Sequence, residues 1–274
     1  MSKLVIGGIA NPEDIEEFYR ALEKEEKKFD KYIIAYIYFL GIKQKMNTNG
    51  SYESLQILKF LLWGIQRTAS YISSINEIDE FDIKIFSDNI VIAQKVNEGR
   101  ISDQIISIIN LVSAIQFHAL MQFDFWLRGG ITIGELFIDN AVVWGTSLIE
   151  AYAIENNLAN YPRVIVSKKI LNAYDECKNK SLNAYDECKN KSLNLYALIK
   201  EDFDGLWFVD FMLAAPNITL IPTIARILQE KADFYANEND RVKQKINWMI
   251  SYFNSYCIAF RDRGDYDGYV LSLI

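Results

Sequence analysis

Hydrophobic and polar positions follow two different periods along the chain, and these predict alternating strands and helices. Residues 32–42 are aromatic and β-branched, which predicts a buried strand that ends at Gly41. Residues 52–75 place leucine and isoleucine at helical spacing, which predicts an amphipathic helix. Residues 81–96 have the form of a β-hairpin, with Ser87-Asp88-Asn89 as its turn.

The same order recurs in the middle of the chain. Ser102 is predicted to cap a long helix over about 103–127, because a serine hydroxyl suits a helix N-terminus. Residues 128–145 predict a second hairpin that turns at Asp139-Asn140. Residues 146–158 predict the helix that follows this hairpin.

Shorter elements complete the pattern. Residues 12–29 predict a charged, solvated helix, residues 163–166 and 206–209 predict short strands, and residues 219–260 are predicted to be mostly helical. An order of β-α-β-β-α-β-β-α-β followed by helices is typical of an α+β fold. We therefore predict a mainly antiparallel sheet with two long helices packed on one face, and a helical extension at the C-terminus.

The composition fits one ordinary globular domain. The chain has 274 residues, of which 50% are hydrophobic and 24% are charged. No linker rich in proline, glycine or serine separates the elements, so residues 1–274 are predicted to form a single domain. Its core is predicted to span residues 31–212, and its helical extension residues 213–274.

Charge and cysteine content restrict the partners and the compartment. The net charge of -7, without a long basic run, argues against nucleic-acid binding. The three cysteines form no C-x-x-C pair, which is typical of a reducing compartment and not of a zinc site. The strongest apolar run, residues 32–42, is too short to span a bilayer. We expect a soluble, cytoplasmic protein that does not enter a membrane.

An exact tandem repeat interrupts the otherwise irregular sequence. The segment NAYDECKNKSL occupies residues 172–182 and occurs again, unchanged, at residues 183–193. Eleven residues are close to three helical turns. The repeat therefore predicts a surface helix that a duplication has lengthened by three turns.

Several short motifs carry a wider similarity. In chain order they are residues 36–42, Phe86-Ser87-Asp88-Asn89, Arg128-Gly129-Gly130-Ile131, Tyr161-Pro162-Arg163, and Trp248 with Phe253-Asn254. This succession resembles the class III nucleotidyl cyclases, in which a first strand carries Asp-x-x-Gly-Phe, a hairpin carries Phe-Gly-Asp, and a later strand reads Arg-x-Gly-Ile-x-x-Gly. Within that class the chain looks most similar to the bacterial pyrimidine cyclases of antiphage (Pycsar) signalling. The resemblance spans roughly residues 31–260.

The resemblance implies a site for divalent metal ions. Two carboxylates on adjacent strand ends would hold two Mg²⁺ or Mn²⁺ ions about 3.5–4 Å apart. Asp88 falls at the position of the second metal-binding aspartate, whereas Tyr38 stands where the first is expected. A phenol with a pKa near 10 does not normally bind Mg²⁺, so a degenerate metal site is predicted. The alternative for Asp88 is an Asx turn, in which it bonds to its own backbone.

Further residues are candidates for contact with a nucleoside triphosphate. Arg128 opens a buried strand and is the predicted catalytic residue, either as a phosphate contact or as an ion pair on the Asp88 side. Lys43 and Tyr36 are the predicted nucleotide-binding residues. For Lys43 the alternative is a solvated loop lysine, and for Tyr36 it is core packing.

The remaining polar candidates are predicted to be structural. His118 is expected to be a packed core histidine, and Glu150 and Glu155 are expected on a helix surface. Ile149 and Ala153 stand where adenylyl and guanylyl cyclases carry asparagine and arginine. This departure argues against a conventional purine cyclase.

The resemblance leaves two main hypotheses of function. In the first, a homodimeric cyclase converts a nucleoside triphosphate into a cyclic pyrimidine or purine monophosphate that serves as an alarm signal, and Tyr38 opposes this hypothesis. In the second, a catalytically inactive homologue acts as a nucleotide-binding or partner-binding regulatory subunit. A plain interaction protein that uses its C-terminal helices is a third alternative.

Overall fold

A computed structural model describes most of the chain. The described residues are 16, 20, 29–42, 47, 50–183, 194–214, 220–260 and 267–274. Three predicted features lie outside the described residues: most of the predicted helix 12–29, the candidate Lys43, and residues 184–193 of the second repeat copy. The first repeat copy lies within a described helix.

Eight strands and six α-helices lie within the described ranges. The strands are β1 (Asp30–Leu40), β2 (Asp82–Phe86), β3 (Asn89–Lys95), β4 (Trp126–Ile138), β5 (Val143–Trp144), β6 (Val164–Val166), β7 (Ile199–Glu201) and β8 (Trp207–Val209). The helices are α1 (Ser51–Asn76), α2 (Ile101–Phe123), α3 (Thr146–Asn157), α4 (Lys168–Asn183), α5 (Ile221–Phe234) and α6 (Asp240–Phe260). Both predicted hairpins are present, and β7 is a strand that the sequence pattern did not reveal.

The strands form one mixed sheet with β1 near its centre. The order is β2-β3-β1-β4-β6-β8-β7, and β5 pairs with β4 beside this path. Only the β4–β6 ladder is parallel among the described pairs, and every other neighbour is antiparallel. The predicted α+β fold with a mainly antiparallel sheet is confirmed.

Side chains alternate between the two faces of β1, and each face has its own covering. Ile33 and Ile37 point into the main core, which also contains Leu61 of α1 and Ile105 of α2. The two long helices therefore pack on one face, as predicted. On the opposite face, Tyr36 lies in a smaller cluster that includes a residue of α3.

The central helix α2 differs from the sequence prediction at both ends. It begins at Ile101 with Arg100 as its N-cap, so the predicted cap at Ser102 is wrong. The helix starts earlier because a turn closes at Arg100, whose N–H donates to the Asn97 carbonyl at 2.9 Å. It ends at Phe123, because Asp124 adopts a left-handed conformation and the chain then enters β4.

The same helix is long and apolar enough to cross a membrane by composition alone. Of its most apolar stretch, 78% is buried inside the protein. Core residues such as Ile105, Ile108 and Val112 are fully covered by the sheet and the neighbouring helices. The apolar residues of α2 therefore pack in the core of the protein.

The C-terminal helices form a second apolar cluster at one end of the sheet. Phe253 of α6 and Leu228 of α5 are fully buried there together with Trp126 of β4 and Phe208 of β8. Helix α2 supplies Leu120 to the same cluster. The helical extension is thus joined to the strands that carry the candidate site.

Candidate functional site

Strand register brings four of the sequence candidates to one place. On β1, Tyr38 pairs with Asn89 of β3 on one side and with Arg128 of β4 on the other. The turn between β2 and β3 is held against β1, because the Phe39 N–H donates to the Asp88 carbonyl at 2.9 Å. Tyr36, Tyr38, Asp88 and Arg128 therefore meet around the end of β1.

Two hydrogen bonds through Asn89 link the Tyr36 phenol to the Asp88 carboxylate, and Tyr38 lies beside the same carboxylate. The Tyr38 hydroxyl lies close enough to the Asp88 carboxylate for that carboxylate to raise the pKa of the phenol. The Asn89 amide donates to Asp88 Oδ1 at 3.1 Å, and Asn89 Oδ1 accepts from the Tyr36 hydroxyl at 2.7 Å. The described partners of the Asp88 carboxylate are side chains, so this geometry does not support an Asx turn.

Arg128 is paired with a carboxylate other than Asp88. Its Nε lies 2.5 Å from Glu155 Oε1, and its guanidinium carbon lies 5.0 Å from the centre of the Tyr38 ring. The arginine is thus held between a carboxylate and an aromatic face, both of which favour its charge. The expectation that this buried-strand arginine has an ionic partner is met, and the partner is Glu155.

The prediction that Glu155 lies on the helix surface is wrong. Only 3% of its side chain is exposed, because α3 turns the stripe of Ala151, Ile154 and Glu155 toward the sheet. A glycine allows this close contact, since a Cβ at Gly130 would lie 2.7 Å from the Ala151 carbonyl. Glu150 is partly exposed and pairs with Lys169 at 2.6 Å, in agreement with a surface position.

The surroundings keep both phenols protonated. Burial, followed by the charge of Glu155, raises the pKa of Tyr36 to about 12. Burial and the Asp88 carboxylate raise the pKa of Tyr38, and Arg128 opposes that shift. Burial also raises the pKa of Glu155, against the opposing effect of Arg128. Neither tyrosine can therefore supply a phenolate ligand at neutral pH.

The residues present do not fit the predicted pair of divalent ions. Across the described part of the chain, no group of three or more histidine, cysteine, aspartate or glutamate side chains is placed to hold a metal. Asp88 accepts a hydrogen bond from Asn89 and lies beside the neutral phenol of Tyr38, and the buried carboxylate of Glu155 is paired with Arg128. Mg²⁺ requires several oxygen ligands in near-octahedral geometry, which this arrangement does not supply.

Comparisons with known proteins give distant structural neighbours. No family model matches the chain, and no curated protein is significantly similar to it. Among solved structures, it is similar to the adenylyl cyclase CyaB from P. aeruginosa, with a TM-score of 0.43, 12% identity and coverage of 54% of this chain and 82% of that one. It is also similar to the guanylyl cyclase Cya2 (TM-score 0.39, 12% identity, 67% and 93% coverage) and to a bacterial light-regulated adenylyl cyclase (0.39, 11%, 73% and 63%).

Three other positions singled out from the sequence, Ile149, Ala153 and His118, do not contribute to this site. Ile149 is 61% exposed on α3, and Ala153 of the same helix is partly buried. His118 is exposed on α2 and lies near Gln122, so its prediction as a packed core histidine is wrong. Its neighbours in sequence are apolar, but its own position falls on the solvent side of the helix.

The distant motifs at Tyr161, Arg163 and Trp248 meet in a second cluster. The rings of Tyr161 and Trp248 stack with their centres 5.9 Å apart and their planes 11° apart. Arg163 is fully buried beside them and binds Asp202 and Asp204. Sequence reasoning missed both aspartates, since nothing in the local pattern of residues 202–204 distinguishes them from loop carboxylates. This cluster joins β6 to α6 and has a structural role.

Proposed function

We propose that this protein is a catalytically inactive relative of the nucleotide cyclases that acts as a regulatory, partner-binding subunit. The order of its motifs supports the cyclase ancestry. One observation carries the loss of activity: Tyr38, a neutral phenol beside the Asp88 carboxylate, stands on β1 at the position where a cyclase would hold metal.

The physical argument rests on charge. Two-metal catalysis needs carboxylates on both strand ends to neutralise the ions and the triphosphate. Here β1 presents a neutral phenol beside the Asp88 carboxylate instead of a second carboxylate. Arg128, which would stabilise the transferring phosphoryl group, is already engaged in an ion pair with Glu155. A nucleoside triphosphate would therefore meet neither the metal ions nor the free arginine that cyclisation requires.

The position of Asp88, in a turn held against β1, favours a second candidate function. In this alternative the protein is an active cyclase that makes a cyclic pyrimidine nucleotide for antiphage defence. Asp88 lies in the turn between β2 and β3, and Tyr36 lies on the neighbouring strand β1. The two candidates differ in a single measurable property, the formation of a cyclic product.

The native chain is expected to make no cyclic nucleotide. The purified protein would be incubated with each of the four ribonucleoside triphosphates and Mn²⁺, and the products would be analysed by mass spectrometry. Turnover is expected to equal that of a no-protein control, because the metal ligands are incomplete. A cyclic monophosphate from any triphosphate would establish the active-cyclase alternative and end the proposal of inactivity.

We also propose that two copies pair through the surface around α3. Large apolar side chains are exposed on α3, at Ile149 (61%) and Tyr152 (48%), and just before it at Trp144 (62%). Phe86 (46% exposed) and Tyr152 both contact the Tyr36 ring. Exposed apolar patches of this kind mark interaction surfaces. The homodimer that the family resemblance implies supports a second copy of the chain as the partner.

Ile149→Glu is expected to weaken that dimer. A carboxylate buried in an apolar interface lacks a partner, so the dimer dissociation constant should rise at least about tenfold. Sedimentation equilibrium measures it, and Ile75→Glu is the matched control because Ile75 is similarly exposed (59%) on α1. A monomeric native chain, or an equal loss in both variants, would contradict this pairing.

A further inference from the structure

A cavity of about 440 Å³ lies where α5 and α6 pack against the ends of β1 and β4. In the β1–β4 ladder, Leu40 pairs with Trp126, and Tyr38 pairs with Arg128 two residues further along each strand. Residues two positions apart on a strand share a face, so the cavity adjoins the Tyr38–Arg128 pair. Its volume is in the range of cavities that bind small molecules.

The charged groups that line this cavity are paired, with one exception. Lys231 Nζ lies 2.9 Å from Asp124 Oδ2, and Glu230 pairs with Arg226 at 2.7 Å. Lys245 of α6 also lines the cavity, and no carboxylate pairs with it in the described part of the chain. One uncompensated cation therefore faces the cavity.

The surroundings of Lys245 make this charge costly. Its side chain is partly buried, and burial lowers the pKa of its amine. The positive charges of Arg128 and Arg241 lower that pKa further. An anion bound in the cavity would relieve both the desolvation and the repulsion.

A second unsatisfied group lines the same cavity. Trp126 is only 8% exposed, and its buried indole N–H has no described acceptor. Buried donors of this kind are rarely left unpaired in native proteins. The other walls are apolar and include Leu40, Phe234 and Val242. The cavity thus combines a cation and a hydrogen-bond donor with apolar surface.

We propose that this cavity binds a small organic anion, whose phosphate or carboxylate group contacts Lys245 and Trp126 and whose apolar body lies against α5 and α6. The site requires neither a metal ion nor turnover of a triphosphate. It therefore goes beyond the proposed regulatory function, and its test is independent of any cyclase assay.

The test is calorimetric titration of the full chain in metal-free buffer with three probes: uridine 5′-monophosphate, indole-3-acetate and inorganic phosphate. At least one organic anion is expected to bind at one site, and inorganic phosphate at least about tenfold more weakly, because it lacks the apolar body. Binding of the nucleotide alone would assign an organic phosphate, and binding of indole-3-acetate alone an organic carboxylate. Binding of neither, or equal binding of inorganic phosphate, would overturn the proposal.

Variants locate the site. Lys245→Met should weaken binding at least about tenfold, as loss of a hydrogen bond to a charged group predicts. Trp126→Phe should weaken it less, since it keeps the ring and removes the N–H. Lys243→Met is the matched control, because Lys243 lies on the same helix and does not line the cavity.

A thermal measurement separates binding from folding. Without ligand, Lys245→Met should raise the melting temperature, because it removes repulsion from Arg128 and Arg241. The shift that the organic anion produces in the native chain should be lost in this variant. Equal weakening of binding by Lys243→Met, or a full anion-dependent shift in Lys245→Met, would place binding elsewhere and overturn the assignment.

Discussion

Tyr38→Asp is expected to create a site for Mn²⁺ that Asp88 alone does not provide. The aspartate would stand on β1 beside the turn that carries Asp88, which is held there by the hydrogen bond from the Phe39 N–H. The substitution removes the phenol beside Asp88 and places a second carboxylate there. Two adjacent carboxylates repel each other, and a divalent cation relieves that repulsion.

The Mn²⁺ dissociation constant should fall at least about tenfold, which corresponds to about 1.4 kcal/mol. Electron paramagnetic resonance of free Mn²⁺ during a titration measures it directly. Tyr38→Asn is the matched control, because it removes the phenol without adding charge. Tight Mn²⁺ binding by the native chain, or an equal gain in Tyr38→Asn, would show that the missing carboxylate is not what limits metal binding.

The same variant also tests the proposed relation to the nucleotide cyclases. Incubation of Tyr38→Asp with the four ribonucleoside triphosphates and Mn²⁺ would reveal any restored cyclisation and identify the base. A product from this variant alone would indicate a cyclase disabled at one position. Metal binding without a product would indicate that Arg128, held by Glu155, is a second obstacle.

Strand positions and turns were predictable because they depend on local pattern. The aromatic and β-branched run of β1 and the polar turn at Ser87-Asp88-Asn89 are local features. Antiparallel pairing then converts sequence motifs into neighbours in space. The resemblance to class III cyclases, and not the local pattern, predicted that Tyr38, Asp88 and Arg128 belong to one site, and the register places Tyr38 opposite Asn89 and Arg128.

Features that depend on tertiary contact were not predictable in the same way. Glutamate is usually a surface residue, but Gly130 lets α3 approach β4 so closely that Glu155 reaches Arg128. His118 has apolar neighbours in sequence, yet the packing of α2 leaves it exposed. In each case the burial or exposure of the side chain depends on contacts with other elements, which the local spacing of hydrophobic residues does not reveal.

The cavity beside Lys245 illustrates the same limit. Residues of β4 and of the C-terminal helices form it, and more than a hundred positions separate Trp126 from Lys245 in the sequence. A lysine on an amphipathic helix ordinarily lies in solvent. Only the packed structure shows that this lysine is partly buried beside Arg128 and has no carboxylate partner among the described residues.

Arg163→Met is expected to cause a large loss of stability. The native guanidinium is fully buried and binds two carboxylates, Asp202 and Asp204. Methionine would retain most of the apolar contacts and leave both carboxylates without their cation. Removing one partner of a buried ionic group costs about 3–5 kcal/mol. Urea unfolding followed by far-ultraviolet circular dichroism would measure the loss as a change in the free energy of unfolding.

The size and pH dependence of that loss distinguish it from a surface effect. Arg226→Met is the control, because its pair with Glu230 is exposed and should contribute at most about 1 kcal/mol. Burial raises the pKa of Asp204, but Arg163 and backbone N–H groups outweigh burial and lower it below 3.8. The native pairing therefore adds stability above pH 3.8 that is lost as the pH falls through the lowered value. The difference in the free energy of unfolding between Arg163→Met and the native chain should accordingly become smaller in acid. A loss of unfolding free energy as small as that of Arg226→Met would show that the buried ion pairs do not hold α6 to the sheet.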